Sequence, residues 1–232
     1  MTTLGCRISV MFSEVLREEL RFLTFREAKV RLGPLRYHYL AFAIAATVLA
    51  GIGRYWDHPA ALWWQAAGLG SLAYIGVLAL IIWALVLPLK PQNWSFLGVF
   101  IFIGLTAPPA WLYAIPVERF MSFDAAAITN MWFLLIVAAW RVALYALFLK
   151  RVAKLKTSAQ ITCVLLPLAL IVTALSIFNL EHAVFEIMGG IRAPTVADKA
   201  YFAVLALTFL SWSVVPFVGL WYLNEVWRAR RT

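Results

Sequence analysis

The chain has 232 residues, 64% of them hydrophobic, and a net charge of +9. Soluble domains are roughly 45–50% apolar, so the composition excludes an ordinary soluble enzyme, and the length leaves room for one membrane domain and little else. The basic residues are split among short segments and form no recognisable reading module, which excludes nucleic acid as the partner.

Residues 1–36 read as a cytoplasmic, interfacial segment. Ile8, Met11, Phe12, Val15, Leu16, Leu20 and Leu23 follow helical spacing. Glu14, Arg17, Glu18 and Arg21 fall on the other face, so an amphipathic helix, continuous or broken, is expected over about 8–32, ended by Gly33-Pro34. Such a helix lies on the inner leaflet with its cations near lipid phosphates, or packs against the inner loops. Met11 is an alternative start. No cleavable signal peptide is visible, and the first span is expected to act as the signal anchor.

A transmembrane helix needs about 20 apolar residues. Six stretches qualify, at about 37–53, 67–88, 96–117, 126–149, 161–180 and 201–223. The expected fold is therefore all-α, a six-helix transmembrane bundle over 37–232 with a short tail. Long continuous apolar runs exclude a transmembrane barrel, whose strands alternate in polarity. Ala43, Thr47 and Gly51 sit four apart on the first span, and Ala139 and Ala143 on the fourth, where small residues let helices approach closely. Trp56, Trp63, Trp64 and Trp111 form an outer aromatic belt, with Trp94, Trp221 and Trp227 on the inner side.

Orientation follows from the short loops. Fifteen Lys and Arg residues lie in the leading segment, at Lys90, at Lys150, Arg151, Lys154 and Lys156, and at Arg228, Arg230 and Arg231. The opposite loops hold only Arg54, Arg119, Arg192 and Lys199. Both termini are expected in the cytoplasm of a bacterial inner membrane, facing anionic lipid. Cys6 and Cys163 are placed for neither a disulfide nor a zinc site.

Prolines interrupt three spans: Pro108-Pro109, Pro167 and Pro216. Each removes an N–H and frees a carbonyl one turn earlier, which protein or water must satisfy. The outcome is either an ordinary kink or a broken helix lining a site.

Arg141 is the one charge deep in a span. Such a charge costs several kcal/mol without a partner. Pro108 and Pro109 are expected to free the carbonyls of Gly104 and Leu105 at its depth, and Ser211 and Ser213 are also near mid-membrane. Arg141 is read as capping those carbonyls and locking the third span against the fourth, or alternatively as an anion anchor in a cavity.

Arg54, Asp57, His58, Glu118, Arg119, Asp124, Glu181, His182 and Glu186 gather in the opposite, outer loops. Salt bridging is the plain reading. His58, His182 and Glu186 carry the donors of a zinc or manganese site. An enzyme built on that cluster, or a proton entry site, is the sharper alternative. No phosphate-cradling glycine loop, GxSxG or paired mid-span histidine is present, and no cofactor is expected.

The stretches GIGRYWDHP (51–59) and LTAPPAWLYAIPVERF (105–120) resemble uncharacterised bacterial multi-span membrane proteins. In size, leading segment and compact bundle the chain is similar to bacterial relatives of the Yip family, small membrane proteins that in eukaryotes associate with Rab GTPases. Yip proteins have five spans rather than six, and no functional residue carries over. The resemblance implies a non-enzymatic membrane protein. The expected function is thus a scaffold, a partner subunit in a homo- or hetero-oligomer, or a lipid-interacting factor. A small channel or transporter using the third and sixth spans with Arg141 is the first alternative.

Overall fold

A computed structural model of the chain describes residues 2–27, 32–56, 61–177 and 194–231. It holds eight α-helices among the described residues: α1 (Thr2–Leu23), α2 (Leu32–Tyr55), α3 (Trp63–Ala66), α4 (Leu69–Val86), α5 (Phe96–Leu105), α6 (Phe123–Arg151), α7 (Thr157–Ile177) and α8 (Pro194–Arg231). Short 3-10 turns run over Leu87–Leu89, Pro108–Ala114 and Val117–Arg119, and no strand occurs among the described residues. Five helices are long and apolar enough to cross a membrane, or six if the bent pair around Pro108 is one span. Between 17% and 44% of each apolar window is buried within the chain. Much of the rest is exposed apolar surface, as at Phe209, Phe217 and Leu220, which water does not favour and lipid does.

The chain divides into two compact units, residues 1–80 with 95–111 and residues 81–94 with 112–232. In the first, Val15 of α1 joins Leu35, Tyr39 and Ala43 of α2 and Ile101 and Leu105 of α5 in one buried cluster. Phe12 meets Phe42 at 6.4 Å, and Phe22 meets Phe102 at 5.8 Å. Phe12 and Phe42 are about equally far from the α1–α2 connection, so the two helices fold back on each other.

The small-residue row on the first span does make close contacts. A Cβ on Gly104 would stand 2.5 Å from the Ala43 Cβ, and one on Gly51 would stand 2.7 Å from the Gly68 Cα. Thr47 is buried between them and spends its hydroxyl on the Ala43 carbonyl at 2.7 Å. Gly68 has φ +72, and any Cβ there would meet the Val48 carbonyl at 2.5 Å.

α1 ends at Leu23, the broken form of the helix expected over about 8–32, and Gly33-Pro34 does not end it but lies in the first turn of α2. Phe25 takes the left-handed conformation (φ 62), Arg26 N–H donates to the Arg21 carbonyl at 2.9 Å, and Phe25 N–H donates to the Phe22 carbonyl at 3.0 Å. This is a Schellman stop built without glycine. Its faces also differ from expectation: Glu18 and Glu19 are buried beside Val15, while Phe12, Leu16 and Leu20 are exposed. The apolar arc is wider than the packed face, so part of it stays bare.

The third span is not one helix. Thr106 and Ala107 N–H groups turn back to the Ile103 and Gly104 carbonyls at 3.1 and 3.0 Å, closing α5 after ten residues. The chain continues as 3-10 turns at an angle of 43°. The preference of a residue before proline for extended backbone explains the stop. Trp111 secures the turn by donating its indole N–H to the Ala46 carbonyl at 3.1 Å. By contrast Pro167 and Pro216 lie inside continuous helices, so the fifth and sixth spans are not broken.

In the second unit α6, α7 and α8 pack together. Pro167 deprives the Cys163 carbonyl of its partner, and the Tyr145 hydroxyl donates to it at 3.2 Å. The exposed carbonyls at the end of α4 are capped by aromatic side chains: Trp94 N–H on Trp83 at 3.1 Å and Tyr222 O–H on Leu85 at 2.6 Å. α8 has 38 residues, roughly 57 Å of helix, well beyond an apolar core of about 30 Å.

Candidate functional site

Arg141 is partly buried on α6 in the second unit, and Gly104, Leu105, Pro108 and Pro109 belong to the first. The Gly104 carbonyl accepts the Ala107 N–H at 3.0 Å. Gly104 is also the point where α5 touches α2. Ser211 is buried, but Ser213 is exposed and donates to the Phe209 carbonyl of its own helix at 2.9 Å.

Of the outer-loop cluster, Asp57, His58, Glu181, His182 and Glu186 lie outside the described residues, and so does the expected metal set. Arg54 ends α2. Glu118 accepts from the Asn130 amide at 2.6 Å, tying the 3-10 turn to α6, and Arg119 is exposed. Among the described residues no three His, Cys, Asp or Glu side chains are grouped for a metal.

What the fold does bring together is positive charge. The turn after α4, the α6–α7 connection and the last turns of α8 meet at one end of the second unit. Gln92 N–H donates to the Ala153 carbonyl at 3.1 Å, joining the first two. They enclose a cleft of about 290 Å³ lined by Lys90, Lys154, Lys156 and Arg228, with Ser158 and Glu225 at its wall. The four cations are exposed. Glu225, the one carboxylate, is buried and already engaged. It accepts the Ser158 hydroxyl and stands 3.6 Å from Arg228. Ser158 in turn accepts the Trp221 indole N–H at 3.2 Å.

Local backbone explains the arrangement. Lys90 follows the 3-10 turn in the left-handed region (φ 51), and Lys154 ends the α6 overrun the same way (φ 50). Asparagine or glycine is the easier choice at such positions, so each lysine carries a cost of order 1 kcal/mol. The sequence assigned all of these basic residues to one side, but their convergence on one cleft is a tertiary fact that no local pattern carried.

A second unusual group is Glu19 in the first unit. It is 1% exposed, and neither carboxylate oxygen has a hydrogen-bond partner among the described residues. Burial pushes its pKa up to about 8. His38 on α2 also holds a buried ring nitrogen, Nδ1, without a hydrogen-bond partner among the described residues.

Comparison with family models, curated proteins and solved structures finds no match.

Proposed function

We propose that this chain is a non-enzymatic, multi-pass protein of a bacterial inner membrane, with both termini in the cytoplasm, that acts as a lipid-interacting scaffold or partner subunit. One observation carries the reading: Lys90, Lys154, Lys156 and Arg228 gather, exposed, around one cleft at the end of three apolar helices. Positive ends of this kind are retained on the cytoplasmic side and attract anionic lipid. The bare apolar flanks of α8 support a bilayer as the surrounding medium. The test is the lipid shell extracted with the protein. Enrichment of anionic over zwitterionic lipid relative to the bulk membrane is expected, and an unenriched shell contradicts the proposal.

A second reading draws on the broken third span. An α-helix that stops at Leu105 and continues at 43° is the form of the interrupted helices that line transporter sites. The continuous helix through Pro216 offers no matching break in the sixth span. Solute or ion flux in sealed proteoliposomes, absent from empty vesicles, would establish this reading over the scaffold.

A further inference from the structure

We infer that the cleft of Lys90, Lys154, Lys156 and Arg228 is a binding site for the phosphate of an anionic lipid headgroup. The inference rests on the proposed membrane placement and makes it specific to one site. Four cations face one carboxylate, and that carboxylate is already held by Ser158 and Arg228. Lys90, Lys154 and Lys156 have no ion-pair partner among the described residues. Three like charges brought to one rim repel one another unless an anion sits between them. A volume near 290 Å³ is at the small end of ligand sites, which suits a headgroup rather than a nucleotide.

Phosphate fits better than a carboxylate ligand because the donors come from three directions, one from each converging segment. The start of α7 at Thr157 adds backbone N–H groups on the same wall, beside Ser158 and Ala159. Depth selects a lipid as the source. The cleft opens where α4, α7 and α8 leave their apolar stretches. The Trp221 indole donates to Ser158 on the cleft wall, and amphipathic rings of this kind mark the headgroup layer. Leu89, Leu155 and Ala159 continue the wall toward the apolar helices.

The test compares three proteins in nanodiscs of phosphatidylcholine with trace labelled phosphatidylglycerol: the native chain, Lys90→Gln/Lys154→Gln/Lys156→Gln, and the charge-matched Lys150→Gln/Arg230→Gln/Arg231→Gln, whose residues lie off the cleft. Arg228 is left in place because it pairs with Glu225. The cleft variant is expected to lose about tenfold in preference for the anionic lipid, and the control less than twofold. Equal losses in both overturn the cleft as a site while leaving the general attraction intact. No preference in the native protein overturns both the cleft and the proposed function. Displacement of the labelled lipid by millimolar glycerol phosphate assigns the site to a free phosphate and overturns the lipid source. Glu225→Gln, which still accepts from Ser158, removes the opposing charge and is expected to tighten binding two- to threefold; unchanged or weaker binding counts against the site. Its outcome is independent of whether the triple variant folds.

Discussion

Glu19 is a buried carboxyl whose oxygens have no hydrogen-bond partner among the described residues. Below pH 4.5 it is protonated in both folded and unfolded chains, and burial carries no charge penalty. Between pH 4.5 and about 8 the unfolded carboxyl ionises while the buried one resists, so stability falls as pH rises. At pH 7 the loss is roughly 3 kcal/mol. Glu19→Gln is expected to flatten the dependence of the thermal midpoint on pH between 5 and 8, and an unchanged slope would contradict this. Tyr145 is the opposite case, a polar group whose partner is dictated. Tyr145→Phe leaves the Cys163 carbonyl unfilled and is expected to cost about 1–2 kcal/mol. In a Pro167→Ala background, where the helix supplies its own N–H, the cost should nearly vanish. A double-mutant cycle on unfolding in detergent reads that coupling. Neither role was legible beforehand. Periodicity put Glu18 among the solvent-facing residues of α1 and did not single out Glu19. The carbonyl freed by Pro167 was expected, but its partner lies 18 residues earlier, on another helix.

Helices, by contrast, were largely readable, because apolar runs and small-residue spacing are local. The expected spans at 67–88, 126–149 and 161–180 fall on α4, α6 and α7 within a few residues. Ala43, Thr47 and Gly51 pack closely because nothing larger fits opposite Gly104, Gly68 and Ser71. Gly104→Ala sets a Cβ against Ala43 and is expected to cost about 1–3 kcal/mol. Restoring space with Ala43→Gly should recover most of it, measured by thermal unfolding. Helix ends were harder. The stop at Phe25 uses a residue with no turn preference, and its bonds return to carbonyls chosen by geometry. The third span showed Pro108-Pro109 plainly, yet the pattern alone did not separate a kink from a full stop. Trp111 on the Ala46 carbonyl, 65 positions away, holds the stopped form.

At the scale of the molecule, charge and hydropathy together described a chain that lives in lipid. They assigned Lys90, Lys154, Lys156 and the tail to one side without showing that they share a cleft. That convergence needs the end of α4, the α6–α7 connection and α8 in register, which single-residue patterns do not encode. Arg141 stood out equally in the sequence, and it sits partly buried on α6. The central claim is that the basic end of the molecule faces the cytoplasmic leaflet. Impermeant maleimide labelling of single cysteines in spheroplasts tests it most directly, with Cys6 and Cys163 replaced by serine. Met121→Cys is expected to label in intact spheroplasts, and Lys154→Cys only after the membrane is opened. Labelling of Lys154→Cys in intact spheroplasts would contradict the account.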